Sequence, residues 1–323
     1  MERIPLGIIG VGMVGGQLLR YFVEERTYER GKDLFLFDTD SKKGFTDDVN
    51  VASVIFVCVP TPRHPDTGAC DVSILEQAVR GIREPKIFVL KSTVPPGTTE
   101  RFQKNFPQHT FLFSPEFLTE SRAWEDTIRP DRQIVGHTVS SISHASTVLG
   151  LLPHAFFSSP GTLGTYTFSR VNATEAELGK YAGNTFGALK VTFANVLADF
   201  CSMLEAEFKK NEQNASVQYD NVRLILAHDH RIRDTWLDVM HGLYRGFGGY
   251  CFPKDVSALI ARGKELLGNL PIDHPHKKQY EKGIRLLEAM WDYNTELLAS
   301  QNLTIEDVSV HNKEWIARKI QKT

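Results

Sequence analysis

The chain has 323 residues, more than a single hydrophobic core usually serves, so we expect two domains. Its net charge of -2 and charged fraction of 24% are ordinary for a globular protein, and the lack of a basic excess argues against a nucleic-acid partner. The N-terminus has no signal-peptide layout and no apolar run approaches the length of a membrane span, so we expect a cytoplasmic protein that does not enter a membrane.

The first half of the chain alternates short apolar runs with helical patterns. The runs predict strands at 4–9, 34–37, 53–59, 86–90, 110–113 and 133–135. A glycine-rich turn and an amphipathic helix to about Arg26 follow the first strand. Because such alternation is typical of a mainly parallel sheet with helices on both faces, we assign residues 1–170 to an α/β domain.

The pattern becomes helical near Arg170. Thr174 and Glu177 have the spacing of a capping box, which predicts the start of a long helix that ends in the polar stretch 209–214. Further helices are predicted at 219–227 and 279–299. The sequence therefore predicts an all-α domain built on a long central helix over residues 171–300, followed by a tail at 301–323.

The turn after the first strand has the pattern of a dinucleotide-binding loop. The Gly-x-Gly-x-x-Gly motif consists of Gly10, Val11, Gly12, Met13, Val14 and Gly15. A strand precedes it and a helix follows, so the free N–H groups of the helix can bind a pyrophosphate. Asp38 ends the second strand, where a carboxylate binds the ribose 2′-hydroxyl and favours NAD over NADP. Lys42 and Lys43 follow closely, and a lysine there could instead accept a phosphate.

One of the four cysteines, Cys251, lies in a glycine-rich stretch at 245–255. A lone cysteine is more often buried filler, but glycines let the backbone lie against a ligand and Lys254 could favour the thiolate. We interpret Cys251 as a candidate nucleophile in a loop, with Asp255 as a second ionisable group beside it.

Lys180 and Asn184 are four residues apart on the predicted long helix and therefore share one face. Gly179, Gly183 and Gly187 form a stripe without side chains beside them, at a cost of about 1 kcal/mol each relative to alanine. Either another helix or a ligand could pack closely against this stripe. With a ligand, Lys180 and Asn184 could donate to an oxygen that gains negative charge.

Two carboxylates, Glu116 and Glu120, follow a predicted strand and share a face if the segment is helical. One reading is that a carboxylate here activates water, and the other is that the two are a solvated pair at the start of a helix. No metal site is predicted, because His228 and His230 lack partners at known ligand spacing. His241 lies near the glycine-rich stretch and is left undecided.

Together these motifs resemble the UDP-glucose/GDP-mannose dehydrogenase family. The matching segments run in order through most of the chain, at residues 10–15, 59–62, 91–99, 114–120, 130–132, 176–184, 230–232 and 246–255. The resemblance implies an NAD-dependent oxidoreductase that oxidises the primary alcohol of a nucleotide sugar, with UDP-glucose to UDP-glucuronate as the first expectation, for polysaccharide biosynthesis. We also expect a homodimer formed through the long helix, because that helix has apolar and glycine faces that we expect to be exposed.

The resemblance implies roles for individual residues. The implied catalytic residues are Cys251 as nucleophile, Lys180 and Asn184 at the oxyanion, Asp255 for proton transfer and Glu116 for the hydrolytic water. The residues implied for NAD, beyond the glycine motif and Asp38, are Lys43, Val59, Pro60, Thr61, Ser92, Thr93, Glu120 and Lys254. Those implied for the substrate are Phe117, Leu118, Arg231, Phe247 and Gly248.

The implied reaction takes the alcohol to an aldehyde, which Cys251 captures as a thiohemiacetal; a second oxidation gives a thioester that water hydrolyses. The chain departs from the family in three places. Arg233 stands where the family usually has glycine, and the link between Asp38 and Val54 is shorter than is typical. Because the chain ends soon after the predicted helix 279–299, we expect the family's C-terminal nucleotide-binding domain to be missing.

Two other functions stay open at this stage. The first is a two-electron dehydrogenase of the hydroxyacid type, which also joins a Rossmann domain to a helical domain and has no need of Cys251. The second is a non-catalytic NAD-binding subunit. The expected absence of the C-terminal nucleotide-binding domain argues for it. Retention of the candidate catalytic residues argues against it.

Overall fold

The computed structural model describes residues 3–155, 157–160, 171–240 and 243–309. The chain forms two compact units: the first comprises Met1–His64 and Cys70–Tyr181, and the second comprises Pro65–Ala69 and Ala182–Thr323. The predicted boundary at 170/171 adjoins the segment 161–170, and that segment and most of the predicted tail (310–323) lie outside the described residues.

The first unit is built on a mainly parallel six-stranded sheet, as the sequence predicts. Its strands are β1 (Leu6–Ile9), β2 (Leu34–Phe37), β3 (Val54–Val57), β4 (Ile87–Leu90), β5 (Thr110–Phe113) and β7 (Gly136–His137), with β6 (Arg132–Ile134) and β8 (Phe157–Ser159) forming a separate parallel pair. The order in the main sheet is β2-β1-β3-β4-β5-β7, and only β7 runs antiparallel to its neighbour. The order 2-1-3-4-5 is one of the two common orders of a doubly wound, Rossmann-like sheet, and it places the topological switch point between β1 and β3.

Helices cover the sheet in the described part of the first unit. They are α1 (Met13–Glu24), α2 (Ser73–Arg80), α3 (Thr98–Asn105), α4 (Ala123–Ile128) and α5 (Ala145–Leu151). Alternate residues of β3 enter two different apolar clusters: Val54 and Phe56 join one, and Ile55 and Val57 join the other. The sheet is therefore buried on both faces, which explains why its strands read as unbroken apolar runs.

The long helix α6 (Ala173–Lys210) begins close to the predicted residue, but its predicted capping box is wrong. The reciprocal bonds join Asn172 and Glu175: the Glu175 N–H donates to Asn172 Oδ1 (2.9 Å), and the Asn172 N–H donates to Glu175 Oε2 (2.8 Å). Thr174 and Glu177 show the same spacing two residues later, so spacing alone could not separate the two pairs.

Glu177 instead caps a different helix, α3. Its carboxylate accepts the Gly97 N–H (2.6 Å), the Thr99 N–H (2.8 Å) and the Thr99 hydroxyl (2.6 Å). Gly97 is the N-cap residue of α3 and has no side chain to do this. The first turns of α6 are thereby fastened to the first unit through a buried acid at a helix N-terminus, where negative charge is favoured.

The described part of the second unit is helical, with α7 (Tyr219–Ala227), α8 (Cys251–Gly268), α9 (Lys277–Ala299) and α10 (Ile305–Val308) accompanying the rest of α6. Its core joins Ala188 and Val191 of α6 to Val256 and Ile260 of α8 and Met290 of α9. The helix α8 was not predicted, because residues 245–255 were interpreted as a glycine-rich loop.

Among the described helices, α6 is long and apolar enough by length and composition alone to cross a membrane. Less than half of its most apolar window is buried, and central helices of globular domains meet the same criterion. Buried Asn195 and the core residues Ala188 and Val191 lie on this helix, so we interpret α6 as the central helix of a packed domain.

Candidate active site

Close packing explains two of the glycines in the turn between β1 and α1. Gly10 has a φ of 87°, and a Cβ there would lie 2.8 Å from the Cys58 carbonyl oxygen. A Cβ on Gly15 would lie 2.0 Å from the carbonyl oxygen of Gly10. Gly12, the N-cap residue of α1, differs, because a Cβ there would meet no protein atom within 4 Å. The protein itself does not require glycine at 12, which fits a turn that a pyrophosphate approaches closely.

Asp38 lies at the end of β2, next to this turn. Its Oδ2 accepts the Val11 N–H (2.7 Å) and Lys43 Nζ (2.8 Å), and its Oδ1 accepts the Asp40 N–H (2.9 Å). Burial acts to raise the pKa of Asp38, but these hydrogen bonds outweigh it and hold the pKa below its usual value. A carboxylate has about four acceptor positions, so Asp38 keeps room for a ribose hydroxyl. The turn and Asp38 together fit the adenosine and pyrophosphate of NAD.

Other residues predicted for NAD line the carboxyl ends of the neighbouring strands β3 and β4. Ser92 Oγ donates to the Val59 carbonyl oxygen (2.6 Å), and Thr61 Oγ1 donates to that of Thr93 (2.7 Å). Pro60, in the loop after β3, is exposed. The two loops are thereby tied together at the edge of the sheet where α/β proteins bind their ligands.

Glu116 follows β5 and pairs with Lys180 of α6. Lys180 Nζ lies 2.9 Å from Glu116 Oε1, and the Leu118 N–H donates to Oε2 (2.8 Å). Burial acts to raise the pKa of Glu116, but the charge of Lys180 and these bonds outweigh it and lower the pKa. The side chains of Lys180 and Glu116 are only 5% and 12% exposed, so the interpretation of Glu116 as a solvated carboxylate is wrong.

The segment 114–119 has no regular secondary structure, so Glu116 and Glu120 do not share a helical face as the spacing allowed. Glu120 is exposed in a short 3₁₀ turn. Phe117 lies between two cations: the Arg132 guanidinium is 3.8 Å from its ring centre and Lys180 Nζ is 5.4 Å from it. Arg132 belongs to the matching segment 130–132, but the sequence does not predict its position beside a candidate substrate residue.

A second buried lysine, Lys91, lies behind this pair and was not predicted as a site residue. It follows β4 directly, is 5% exposed, and its Nζ donates to Ser114 Oγ (3.1 Å) and to the Pro115 carbonyl oxygen (3.3 Å). Burial, with a smaller effect of the charge on nearby Lys180, lowers the pKa of Lys91 to about 8, against the opposing effect of Glu116.

Because the pKa of Lys91 is lowered, the free energy of unfolding should differ between wild type and Lys91→Met by an amount that depends on pH. Between pH 8 and pH 10.5 the unfolded chain binds a proton at Lys91 that the folded chain has released, so folding gains free energy as pH rises. The free energy of unfolding of wild type relative to the variant should rise by about 3 kcal/mol across this window. Urea unfolding at four pH values measures it, and a pH-independent difference would contradict it.

In the second unit, Cys251 is the first residue of α8 rather than part of a loop, so the predicted loop placement is wrong. Helix N-termini favour anionic groups, which suits a thiolate. Asp255 lies one turn later and is 1% exposed; it accepts Asn184 Nδ2 at Oδ2 (2.5 Å) and Lys254 Nζ at Oδ1 (2.5 Å). Three of the residues predicted for this centre thus form one buried network, in which Lys254 is directed to Asp255.

The glycine-rich loop before α8 is held by a polar residue that the sequence did not reveal. Asn294 of α9 accepts the Phe247 N–H (2.7 Å) and donates to the Phe247 carbonyl oxygen (3.0 Å). Gly246 has a φ of 105° and approaches the same amide. The ring of Phe247 is fully buried, so its role at the substrate stays a prediction, as does that of Gly248, where a Cβ would collide with the Tyr244 hydroxyl.

The glycine stripe on α6 has a packing explanation at one position. A Cβ on Gly187 would lie 2.6 Å from the Phe252 ring and 3.2 Å from Trp236, so the close approach of another helix, α8, accounts for this glycine. A Cβ on Gly179 would meet nothing within 4 Å, and packing does not account for it. The packing interpretation of the stripe therefore holds at Gly187, and the approach of a ligand at Gly179 stays a prediction.

Arg231 is exposed and forms a bidentate pair with Asp229, with Nη2 2.6 Å from Oδ2 and Nε 2.9 Å from Oδ1. Its role at the substrate stays a prediction. His230 is also exposed, and His241 lies outside the described residues. Within the described ranges no group of three or more His, Cys, Asp or Glu side chains could hold a metal ion.

Arg233, which replaces a family glycine, has a φ of 57° and is exposed. The left-handed conformation costs a residue with a Cβ about 1 kcal/mol, and glycine adopts it freely. Arg233→Gly should therefore raise the free energy of unfolding by about 1 kcal/mol, measured by urea denaturation. Arg233→Ala keeps the Cβ and should bring no such gain; equal gains in both variants would show that the side chain, not the backbone, is the cause.

Comparison with known proteins agrees with the folds of both units. Two family models match: the NAD binding domain of the UDP-glucose/GDP-mannose dehydrogenase family over residues 24–149, and the central domain of the same family over residues 174–272. The chain belongs to this family. Its first unit is therefore an NAD-binding domain, and the long helix α6 begins the matched part of the central domain.

Named relatives point the same way. UDP-glucose 6-dehydrogenase of Rhizobium meliloti (strain 1021) is 33% identical over 235 residues, covering 68% of this chain and 49% of that protein. The enzyme of the same name from Pseudomonas aeruginosa is 34% identical over 231 residues, covering 66% and 45%. The chain thus spans about half the length of the curated relatives it matches.

Solved structures extend the likeness over nearly the whole chain. A UDP-glucose dehydrogenase from Pyrobaculum islandicum superposes with a TM-score of 0.62 at 26% identity, covering 99% of this chain and 80% of that one. A UDP-D-ManNAc dehydrogenase from Pyrococcus horikoshii has a TM-score of 0.65 at 19% identity, covering 92% and 70%, and supports the fold alone.

Proposed function

We propose that the protein catalyses the NAD-dependent, four-electron oxidation of the primary alcohol of a nucleotide sugar to the acid, with UDP-glucose as the first candidate substrate. The observation that carries the proposal is the buried Asn184–Asp255–Lys254 network one helical turn after Cys251. A two-electron dehydrogenase has no use for a thiol at that place. Membership of the family supports the same reaction.

NAD, when bound, accepts a hydride in each of the two oxidations. Asp255, fixed on both oxygens, assists removal of the alcohol proton. Cys251 Sγ then bonds to the aldehyde carbon to give a thiohemiacetal, and the second oxidation leaves a thioester. An amide has two N–H donors and an ammonium has three, so Asn184 and Lys180 keep donors for the substrate oxygen beyond the bonds described.

Hydrolysis requires a base for water, and Glu116 is the proposed base. Its lowered pKa keeps it anionic at neutral pH, ready to take a proton from water. The water oxygen bonds to the acyl carbon, the carbon–sulfur bond breaks, and the thiolate of Cys251 leaves. The products are one sugar acid and two NADH for each alcohol consumed.

The decisive experiment counts NADH formed per sugar consumed across a panel of UDP- and GDP-sugars. Two NADH per UDP-glucose, or per a close relative, is the expected result. One NADH would identify the two-electron dehydrogenase instead. NAD binding without turnover of any sugar would identify a non-catalytic subunit.

We also propose a homodimer formed through α6. Three phenylalanines at intervals of seven residues, Phe186, Phe193 and Phe200, are 60%, 53% and 55% exposed. Seven residues nearly complete two helical turns, so these rings form one apolar line along the helix. Such a continuous exposed line is typical of a helix–helix interface between subunits.

Phe193→Asp should convert the dimer into a monomer, because a carboxylate in the middle of the apolar line would be buried without a partner. Light scattering at micromolar concentration should show the mass falling by half. Ala206→Asp places the same charge at an exposed position of the same helix, away from the phenylalanines, and should leave the mass unchanged. A monomeric wild type would overturn the proposed dimer.

A further inference from the structure

One buried charge of the first unit has no part in the proposed reaction. Lys91 is held by the side chain of Ser114 and by the carbonyl oxygen of Pro115, the two residues that directly precede Glu116. Its two hydrogen bonds thus fasten the backbone from which the proposed hydrolytic base projects. Burying an ammonium group is costly, so a lysine at this place calls for a reason beyond packing.

The charges around Glu116 suggest the reason. Lys180 contacts the carboxylate directly, and the proposed reaction also uses it to donate to the substrate oxygen. When Lys180 bonds to that oxygen, Glu116 loses part of the positive charge beside it and would tend to take up a proton, after which it could not activate water. A second cation that does not contact the substrate prevents this.

We propose that Lys91 is a positioning residue for hydrolysis, which orients Glu116 through the Ser114–Pro115 segment and keeps it anionic while Lys180 bonds to the substrate oxygen. The catalytic part of this inference rests on the proposed function. Besides Lys180 from α6 and Lys91 from the end of β4, the Leu118 N–H faces the carboxylate. Cys58, directly after β3, lies near Lys91, but burial raises the pKa of its thiol to about 12, so it is neutral and contributes no charge near neutral pH.

The direct test is a carboxyl ¹³C NMR titration of Glu116, assigned with Glu116→Gln, in wild type and Lys91→Met. Loss of the cation should move the titration of Glu116 upward by about one pH unit or more. Lys86→Met removes an equal charge just before the opposite end of β4, where Lys86 Nζ donates to the Asn50 carbonyl oxygen, and should leave the titration unchanged. An unchanged titration in folded Lys91→Met would overturn the proposal.

A reciprocal measurement keeps the test valid if Lys91→Met does not fold. Linkage requires that Glu116 affect the protonation of Lys91 as Lys91 affects that of Glu116. In Glu116→Gln, the ¹⁵N titration of the Lys91 ammonium should move to lower pH than in wild type. No movement would exclude the coupling.

Kinetics give the functional consequence. Lys91→Met should lower kcat about tenfold or more, leave KM for the sugar nearly unchanged, and move the acid limb of the pH profile upward. If kcat falls by the same factor at every pH and the acid limb of its pH profile does not move, Lys91 has only a structural role. The NMR titrations need no turnover, so a protein inactive with every sugar would overturn the proposed function and leave the coupling to be decided by the titrations.

Discussion

Replacing Cys251 with alanine should abolish formation of the sugar acid while leaving the fold and NAD binding intact. Without the thiol, the aldehyde cannot be captured and no thioester forms, so the second oxidation loses its substrate. Removal of a catalytic nucleophile lowers turnover by about 10⁴-fold or more in comparable enzymes, and we expect a loss of that size. Chromatographic assay of the sugar acid together with NADH absorbance measures both products.

The matched control is Cys201→Ala, which removes a buried thiol from α6 in the same unit. It should cost stability of about 1 kcal/mol and leave acid formation near the wild-type rate. If wild type and Cys251→Ala both release one NADH per sugar and make no acid, the protein is a two-electron dehydrogenase. Two NADH per sugar in wild type and at most one in the variant is the expected result. If the variant makes acid as fast as wild type, Cys251 is not the nucleophile.

The sheet could be predicted from the sequence because its strands are buried on both faces and read as apolar runs between turns. The helices α2 to α5 were not predicted individually, because at six to eight residues each they are too short to show a helical period. The helix α8 was missed for another reason. Pro253 and the preceding glycines suggest a loop, yet proline is well tolerated in the first turn of a helix.

The sequence identifies candidate site residues that lie in local motifs. It misses those whose partners lie far away along the chain. The glycine turn, Glu116 and Cys251 each lie in a short recognisable segment. Lys91 and Asn294 do not: their partners are at least 23 and 47 residues away in the chain, and no local pattern marks a polar residue that will be buried. Only the packed structure shows which buried polar groups are paired.

The glycines of the nucleotide turn should respond differently to alanine, and the difference separates packing from ligand binding. Gly15→Ala places a Cβ 2.0 Å from the Gly10 carbonyl oxygen, and neither backbone segment can yield cheaply. The free energy of unfolding should fall by about 3 kcal/mol. Urea denaturation in the absence of NAD measures this loss, and unchanged stability would contradict the geometry of the turn.

Gly12→Ala should leave stability nearly unchanged, because the new Cβ meets no atom within 4 Å. Its affinity for NAD should nevertheless fall at least about tenfold, since the methyl group occupies the path by which the pyrophosphate reaches the backbone. Gly16→Ala is the matched control: it also adds a Cβ in open space, but inside α1, where alanine should stabilise the helix by about 1 kcal/mol without weakening NAD binding.

Thermal unfolding by scanning calorimetry, with and without NAD, separates a loss of NAD affinity from a general loss of structure. Since ligand binding stabilises the folded state by mass action, saturating NAD should raise the Tm of wild type and Gly16→Ala alike and raise that of Gly12→Ala much less. A full NAD-dependent shift in Gly12→Ala would mean that the pyrophosphate does not approach residue 12. The open space above this glycine would then need another explanation, and the placement of the cofactor at the N-terminus of α1 would fail with it.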